Sequence, residues 1–408
     1  MKWIPLASAF IISLLWAMTI PNSPISDQII YDYTARTLAE GKGYIDHSGN
    51  PTAFWAPGYS FYLAFFYKIL GPSYFSGFIA NLFSYAALVY GVYFLGSELY
   101  DYTTGVVAAT FAALYPTFIL YNTILASEIL FSALVVWSFY FLWKSYSTAN
   151  AGTGWTWAIP AGVFLGMASL TRSQALILPI MAVVMGWIKK SSWSKIAGRF
   201  LLASLLMVLV CLPWGIRNHT NFGKFVLVSA NFGVNLWTGN HEGATGYYVD
   251  LDALPDDKKE MEGNVVERDE ALKKKAFAFI VSHPMQFIWL SIKRFFLSLR
   301  SESIAVVWNQ AGIEKAWGAQ WLTPLKIATN VGWYFLLLGV TWGILLHFHA
   351  RVMHRPDWIP VTAIFFLSTA FVFFHIQDRY HLPLVPFMML FFAHSIVEKN
   401  AVQEPLKI

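Results

Sequence analysis

The sequence predicts an all-α polytopic membrane protein of about ten transmembrane helices, with interfacial helices in two long outer loops. Three observations carry that expectation. The 408 residues are 57% hydrophobic and only 12% charged, with a mean hydropathy of +0.50. Apolar runs repeatedly reach the roughly 18 to 20 residues that a helix needs to cross a bilayer. Aromatic residues make up 18% of the chain, with 18 Trp and 20 Tyr, which suits rings lodged at two membrane interfaces.

In chain order, spans are expected at residues 3–20, 73–99, 105–121, 126–143, 157–170, 175–188, 200–216, 325–347, 358–375 and 383–396. The first run follows Met1 and Lys2 and is longer than the apolar region of a usual signal peptide, so it reads as an uncleaved span. With the N-terminus inside, Lys2, Lys144, Lys189, Lys190, Lys195, Arg199, Arg351, Arg355, Lys399 and Lys407 collect on the inner side, while the short outer loops hold only Arg172 and Arg379. The long loops 21–72 and 217–324 then face outward. Within the second, residues 284–300 place Met285, Ile288, Ile292, Phe295, Phe296 and Leu299 over one broad face, opposite Gln286, Lys293, Arg294 and Ser298. That pattern suits a helix lying in the interface, and making it a span would put Arg351 and Arg355 outside, against the charge bias. Residues 1–408 read as a single membrane-embedded domain in a cell or plasma membrane.

Several classes of chemistry are excluded. The single cysteine, Cys211, lies in an apolar segment, which leaves no disulfide within the chain, no cysteine-based zinc site and no Cys-X-X-Cys redox pair. No basic stripe interleaved with base-stacking aromatics occurs in a soluble segment, so a nucleic-acid partner is not expected. No nucleotide-binding glycine loop is evident.

The charges that remain fall largely on one side. Asp27, in Ser26-Asp27-Gln28-Ile29-Ile30-Tyr31, sits in the first turn of a short helix begun by Ser23 or Ser26 and ended by Gly41 and Gly43. It is a candidate base, or a helix-start aspartate; Tyr31 shares its face. Glu128 lies at the outer mouth of the fourth span, where an ionisable group is costly unless it pairs or functions. Arg172, Arg217 and Arg379 offer guanidinium groups at headgroup depth, either as snorkelling anchors or as forks that match a phosphate. A carboxylate, several arginines at one depth and two loops able to cover a groove suit the handling of a lipid phosphate and a polar acceptor. A transporter would be expected to carry its ionisable groups nearer the midplane, on broken helices.

These residues carry a resemblance. The run from Asp27 through Tyr31, Ala35, Leu38 and Gly41-Lys42-Gly43-Tyr44 to Pro51-Thr-Ala-Phe-Trp-Ala-Pro57-Gly58-Tyr59 resembles the first outer loop of the GT-C glycosyltransferases, in particular the protein O-mannosyltransferase-like enzymes and the lipid A aminoarabinose transferase. Ser127-Glu128, Gly166 with Leu170-Thr171-Arg172, Pro213-Trp214 with Arg217-Asn218, Gly233 with Asn235, Gly239-Asn240, and Arg379-Tyr380 with Pro383 and Pro386 resemble later landmarks of that family in order.

The resemblance implies an inverting transferase that moves a sugar from a polyprenyl-phosphate carrier to a lipid, glycan or protein acceptor at the outer face. It implies Asp27 as general base and Glu128 as a second acid near the acceptor, with Arg217 and Arg379 on the carrier phosphate. Tyr31, Tyr59, Arg172, Asn218, Asn240 and Tyr380 complete the expected substrate-binding set. Gln28 stands where many relatives carry a second acid, which weakens the case for a divalent metal in the loop. The alternatives are a lipid-linked oligosaccharide ligase or flippase, and a non-enzymatic transporter.

Overall fold

The computed structural model describes residues 4–148, 151–250, 263–350 and 354–403. Of the expected inner-side cations, Lys2, Arg351 and Lys407 lie outside them. The described residues are helical and carry only two isolated β-bridges, Ile45 with Pro51 and Tyr247 with Ile376.

Helix α1 (Ile4–Thr19) leads into the first long loop, which folds as α2 (Asp27–Ala39) and α3 (Gly58–Leu70). A bundle follows, made of α4 (Tyr74–Leu99), α5 (Tyr102–Leu114), α6 (Pro116–Leu120), α7 (Glu128–Ser147), α8 (Ala151–Thr171), α9 (Met181–Ile188) and α10 (Trp193–Phe222). The second long loop holds α11 (Phe232–Gly239), α12 (Val265–Ser282), α13 (Pro284–Ser298), α14 (Ile304–Trp308) and α15 (Gln310–Trp317). The chain closes with α16 (Leu322–Ala350), α17 (Trp358–Phe373) and α18 (Val385–Gln403).

All ten expected spans coincide with helical segments, but fewer are long and apolar enough to cross a membrane unbroken. Among the described residues these are α4, α7, α10 and 319–347, or five if α5 and the segment 116–123 count as one span bent by 52°. The expectation of ten is corrected to that extent. An apolar run counts residues, whereas a span needs one continuous helix of sufficient length; the segments 7–19, 173–188 and 382–398 are shorter, and at two of the breaks a proline is present. Pro116 restarts the chain after α5, and Pro179 lies in the tighter 3-10 stretch Ser173–Ile180 that precedes α9.

The main core gathers buried side chains of α4, α5, α6, α7 and α18, including Tyr85, Phe118, Phe131, Phe139 and Phe387. Helix α10 shows how one helix serves two media. Ala203, Met207, Cys211 and Trp214 face inward, while Leu201, Leu205, Leu209 and Ile216 are exposed on the outer stripe, as a lipid-facing helix requires. Cys211 is buried and free.

Helix α13 has the same logic turned to one side. Met285, Ile288, Trp289, Ile292, Phe295 and Phe296 are exposed, whereas Ser291, Arg294 and Ser298 are buried. Arg294 donates to the Val372 carbonyl at 2.8 Å and Ser291 to the same carbonyl at 2.8 Å, tying the polar face to the end of α17. With its apolar face outward and only 15 residues, about 22 Å at 1.5 Å per residue, α13 fits the interfacial placement and falls short of a span.

Candidate active site

Two helix N-termini bring the carboxylates together. Asp27 is the first residue of α2 and Glu128 the first of α7, so each acid stands where free N–H groups and the helix dipole favour negative charge. Ser26, just before Asp27, has φ 53° and ψ −132°, a backbone region that costs a side-chain-bearing residue about 1 to 3 kcal/mol, and its side chain makes no cap. Strain is thus stored directly beside the proposed base.

Two arginines from distant segments complete the cluster. Arg379 Nη2 lies 2.7 Å from Asp27 Oδ2, and Nη1 of the same side chain lies 3.4 Å from Glu128 Oε1. Arg172 Nη1 reaches Glu128 Oε1 at 2.9 Å and donates to Ser127 Oγ at 3.3 Å. The four charges balance, two against two. Glu128 is completely buried and Arg379 only 8% exposed, while the Asp27 and Arg172 side chains retain 23% and 19% exposure. The cluster is therefore open to solvent at Asp27 and Arg172.

The aromatic surroundings set the position of these groups. Arg379 lies over the Trp308 ring at 4.7 Å, donates from Nε to Gln377 at 2.8 Å, and with Arg172 flanks the Tyr380 ring at 5.8 Å each. Tyr31 donates to Ser127 at 3.4 Å and meets Tyr59 edge-on at 5.0 Å; burial pushes its hydroxyl up to about 12, so it is a neutral donor at any physiological pH. His375 joins Thr238 and the Tyr380 hydroxyl at 2.8 Å each, and burial, helped by Arg379, pulls its imidazole down to about 3. Sequence reading missed Ser127 as a partner, Trp308, His375 and Gln377; none carries a local signal that sets it apart from a packing residue.

Not every expected site residue joins the cluster. Tyr59 is fully buried behind Tyr31, with its hydroxyl on Asn81 Oδ1 at 2.8 Å. Arg217 turns its fork on the first loop, donating to the carbonyls of Thr52 and Tyr44 at 2.7 Å each, and it makes no ion pair with a carboxylate among the described residues. Asn218 accepts from Arg217 at 3.0 Å and donates to Val226 at 2.8 Å. Asn240, fully buried, donates to Leu236 and Phe373 and accepts from Arg294 at 2.9 Å. These groups brace the loops around the cluster.

Two glycines of the same loops permit close approach. A Cβ on Gly58 would lie 2.7 Å from the backbone of Leu170 and Thr171, which seats α3 against the end of α8 and so against Arg172. One on Gly233 would run into the Asp269 carbonyl, where α11 crosses α12 and Asp269 caps it by accepting from the Gly233 and Val234 amides.

A metal ion does not fit between the two acids. Each already faces a guanidinium, and Gln28, buried at the position where a further acid would be needed, accepts from the Leu125 amide at 3.3 Å.

The family model described as dolichyl-phosphate-mannose-protein mannosyltransferase matches residues 52–216, less than half of the chain. The matched stretch includes Glu128 and Arg172 but neither Asp27 nor Arg379. No curated protein matches the sequence. Among solved structures, the archaeal oligosaccharyltransferase AglB from Archaeoglobus fulgidus, in complex with an inhibitory peptide and a dolichol-phosphate, aligns with 100% of this chain and 52% of its own at 12% identity and a TM-score of 0.57. The same enzyme tethered to an acceptor peptide containing the NVT sequon aligns with 98% of this chain and 50% of its own, at 13% identity and a TM-score of 0.57. ArnT from Cupriavidus metallidurans, bound to undecaprenyl phosphate, covers 98% of this chain and 78% of its own at 14% identity, with a lower TM-score of 0.47. The chain is an integral membrane protein that shares the GT-C-type fold of the archaeal oligosaccharyltransferase and spans about half of that protein's length.

Proposed function

We propose that the chain is an inverting glycosyltransferase that moves a sugar from a polyprenyl-phosphate carrier to an acceptor at the extracytoplasmic membrane face. The observation that carries this reading is the neutral cluster of Asp27, Glu128, Arg172 and Arg379, partly open to solvent and built at two helix N-termini. Asp27 takes the proton of the acceptor hydroxyl as its oxygen forms a bond to the anomeric carbon. The bond from that carbon to the carrier phosphate breaks, and its electron pair leaves on the phosphate.

Inversion requires acceptor and phosphate on opposite faces of the sugar, so the base and the phosphate-binding cations cannot stay in contact. Arg172, partly exposed, suits the phosphate; Arg379 either moves to it or remains to orient Asp27. Glu128 Oε2 is buried without a donor among the described residues, and an acceptor hydroxyl would satisfy it. Base and electrostatic contributions are each typically worth about a hundredfold or more.

The shared fold with an oligosaccharyltransferase favours one second reading, in which the same site uses a preassembled lipid-linked glycan. Purified protein given a polyprenyl-phosphate monosaccharide and cell-envelope acceptors tests both. Transfer of one sugar with inverted anomeric configuration supports the first reading, transfer only from a lipid-linked oligosaccharide the second, and carrier movement with no new glycosidic bond would refute both.

A further inference from the structure

A second group of ionisable side chains gathers at the far end of the last three helices. His347 lies in the last turns of α16, His354 and Asp357 in the turn that leads into α17, and His394 and Glu398 one turn apart on α18. Helix α18 begins near Arg379, and the run from Val385 to His394 carries the chain about 14 Å along its axis at 1.5 Å per residue. The group is therefore separate from the candidate active site.

The contacts of His347 and His394 with the two acids are long for charge-assisted hydrogen bonds, and two of them have the spacing of ligands around one ion. His347 Nε2 lies 3.3 Å from Asp357 Oδ2 and 3.4 Å from Glu398 Oε2, and His394 Nε2 lies 3.7 Å from Asp357 Oδ1 and from Glu398 Oε2. A charge-assisted N–H···O bond would be about 2.7 to 2.9 Å long. Tetrahedral ligands bonded to zinc at about 2.0 to 2.1 Å stand roughly 3.3 to 3.4 Å from one another, which two of these separations match and the others approach. His347 Nε2 and both ring nitrogens of His394 are buried with no hydrogen-bond partner among the described residues, while Asp357 is met by the buried Tyr100 hydroxyl, whose ring stacks on His394 at 3.9 Å. His347 is 8% exposed and Asp357 fully buried.

The surroundings fix the ligands as a metal site does. His347 Nδ1 is 2.7 Å from the Gly343 carbonyl, so it carries the proton and leaves the Nε2 lone pair aimed at the two carboxylates. Without a cation between them, that lone pair would face like charge. His354 Nε2 bonds the other oxygen of Glu398 at 2.5 Å, and the His354 backbone N–H donates to Asp357 at 3.0 Å, orienting both acids. No lysine or arginine pairs with either carboxylate among the described residues, so two buried or half-buried negative charges lack a counter-ion that one divalent cation would supply.

We propose that His347, Asp357 and His394 form a site for one divalent cation of the zinc type, which clasps the ends of α16 and α18 to the start of α17, with Glu398 beside these ligands and held by His354. Imidazole and carboxylate together select a borderline transition metal over calcium or magnesium. The role is structural: every ligand comes from the packed helix ends, and none approaches Asp27.

The test uses the full chain in lipid nanodiscs, stripped with a chelator and titrated with zinc. One zinc per chain by elemental analysis, with a raised apparent Tm, is expected. The pair His347→Ala and His394→Ala should lose the bound zinc and the Tm shift, whereas Asp27→Asn should bind as wild type. Because the double variant could fail to fold, cobalt-loaded wild type is measured alongside, and X-ray absorption should show only nitrogen and oxygen ligands at about 2.0 to 2.2 Å, with imidazole scattering. Calcium or magnesium in place of zinc should give no Tm shift. Retention of zinc at full stoichiometry by a folded double variant, or less than about a tenth of a zinc per chain in wild type at micromolar free zinc, overturns the proposal; structural zinc is held far more tightly than that.

Discussion

Replacing Asp27 by Asn separates the base from the brace. Asn keeps the size of the side chain and an oxygen that can still accept from Arg379 Nη2, now 2.7 Å away. What is lost is the charge. The cluster passes from neutral to one net positive charge, and the first turn of α2 loses its anion, a dipole effect of about 0.3 to 1 kcal/mol. Arg379 keeps Glu128 at 3.4 Å, and Asp27 is partly open to solvent, so the lost charge-assisted bond should cost about 1 to 3 kcal/mol, well short of unfolding the chain.

Catalysis should respond far more strongly. Removal of a general base lowers turnover about a hundredfold to ten-thousandfold, equivalent to roughly 3 to 5.5 kcal/mol of activation free energy. The KM for the anionic donor should stay level or fall, because the cluster gains one net positive charge. The assay is initial-rate transfer from a synthetic polyprenyl-phosphate sugar, normalised to folded protein by thermal melting. Near-normal kcat in folded Asp27→Asn would refute the assignment and leave Asp27 as a helix-start and salt-bridge residue. A raised KM with kcat unchanged would place it in donor binding.

Glu128→Gln should invert this balance, because Glu128 is fully buried between two arginines: apparent stability should fall by about 3 to 5 kcal/mol, more than for Asp27→Asn, with a smaller loss of kcat per folded molecule. Arg217→Lys cannot bridge the Thr52 and Tyr44 carbonyls at once, so limited proteolysis should cut the first loop faster, while kcat stays within about tenfold of wild type; a larger loss of kcat with the loop still protected would return Arg217 to the phosphate. His375 is held neutral by burial, so its unfolded form binds a proton below about pH 6.5 and its folded form only near pH 3. Stability should therefore fall as pH drops through that window, by about 1.4 kcal/mol per unit, and His375→Gln should flatten the slope of apparent Tm between about pH 6.5 and 5. Ser26→Gly should raise apparent Tm by relieving the φ of 53°, and an unchanged Tm would mean that no strain is stored there.

Hydropathy and local helix signals were enough to read the solvent, the helical segments and the position of both acids in the chain. Hydropathy is a sum over neighbours in the chain, so the apolar runs named the helical segments, and the outward apolar face of α13 was visible in the spacing of Met285, Ile288, Ile292 and Phe295. Asp27 and Glu128 were legible because helix starts have local signatures and because charge is rare in such a chain. The number of unbroken spans was less legible, since hydropathy does not show where a helix stops: Pro116 and Pro179 lie at breaks, whereas Pro160 and Pro213 sit inside continuous helices.

Which arginine meets which acid is a matter of packing between distant segments. Arg172, Arg217 and Arg379 look alike in sequence, each a lone guanidinium at a span end, yet Arg172 and Arg379 meet the carboxylates and Arg217 is engaged by backbone carbonyls. The same holds for His347, Asp357, His394 and Glu398, which belong to three helix ends with no common motif. A backbone carbonyl leaves no trace in residue identity, and a contact between chain ends has no period to detect. Both arise from packing, which fixes positions to a fraction of an ångström that composition and spacing do not encode.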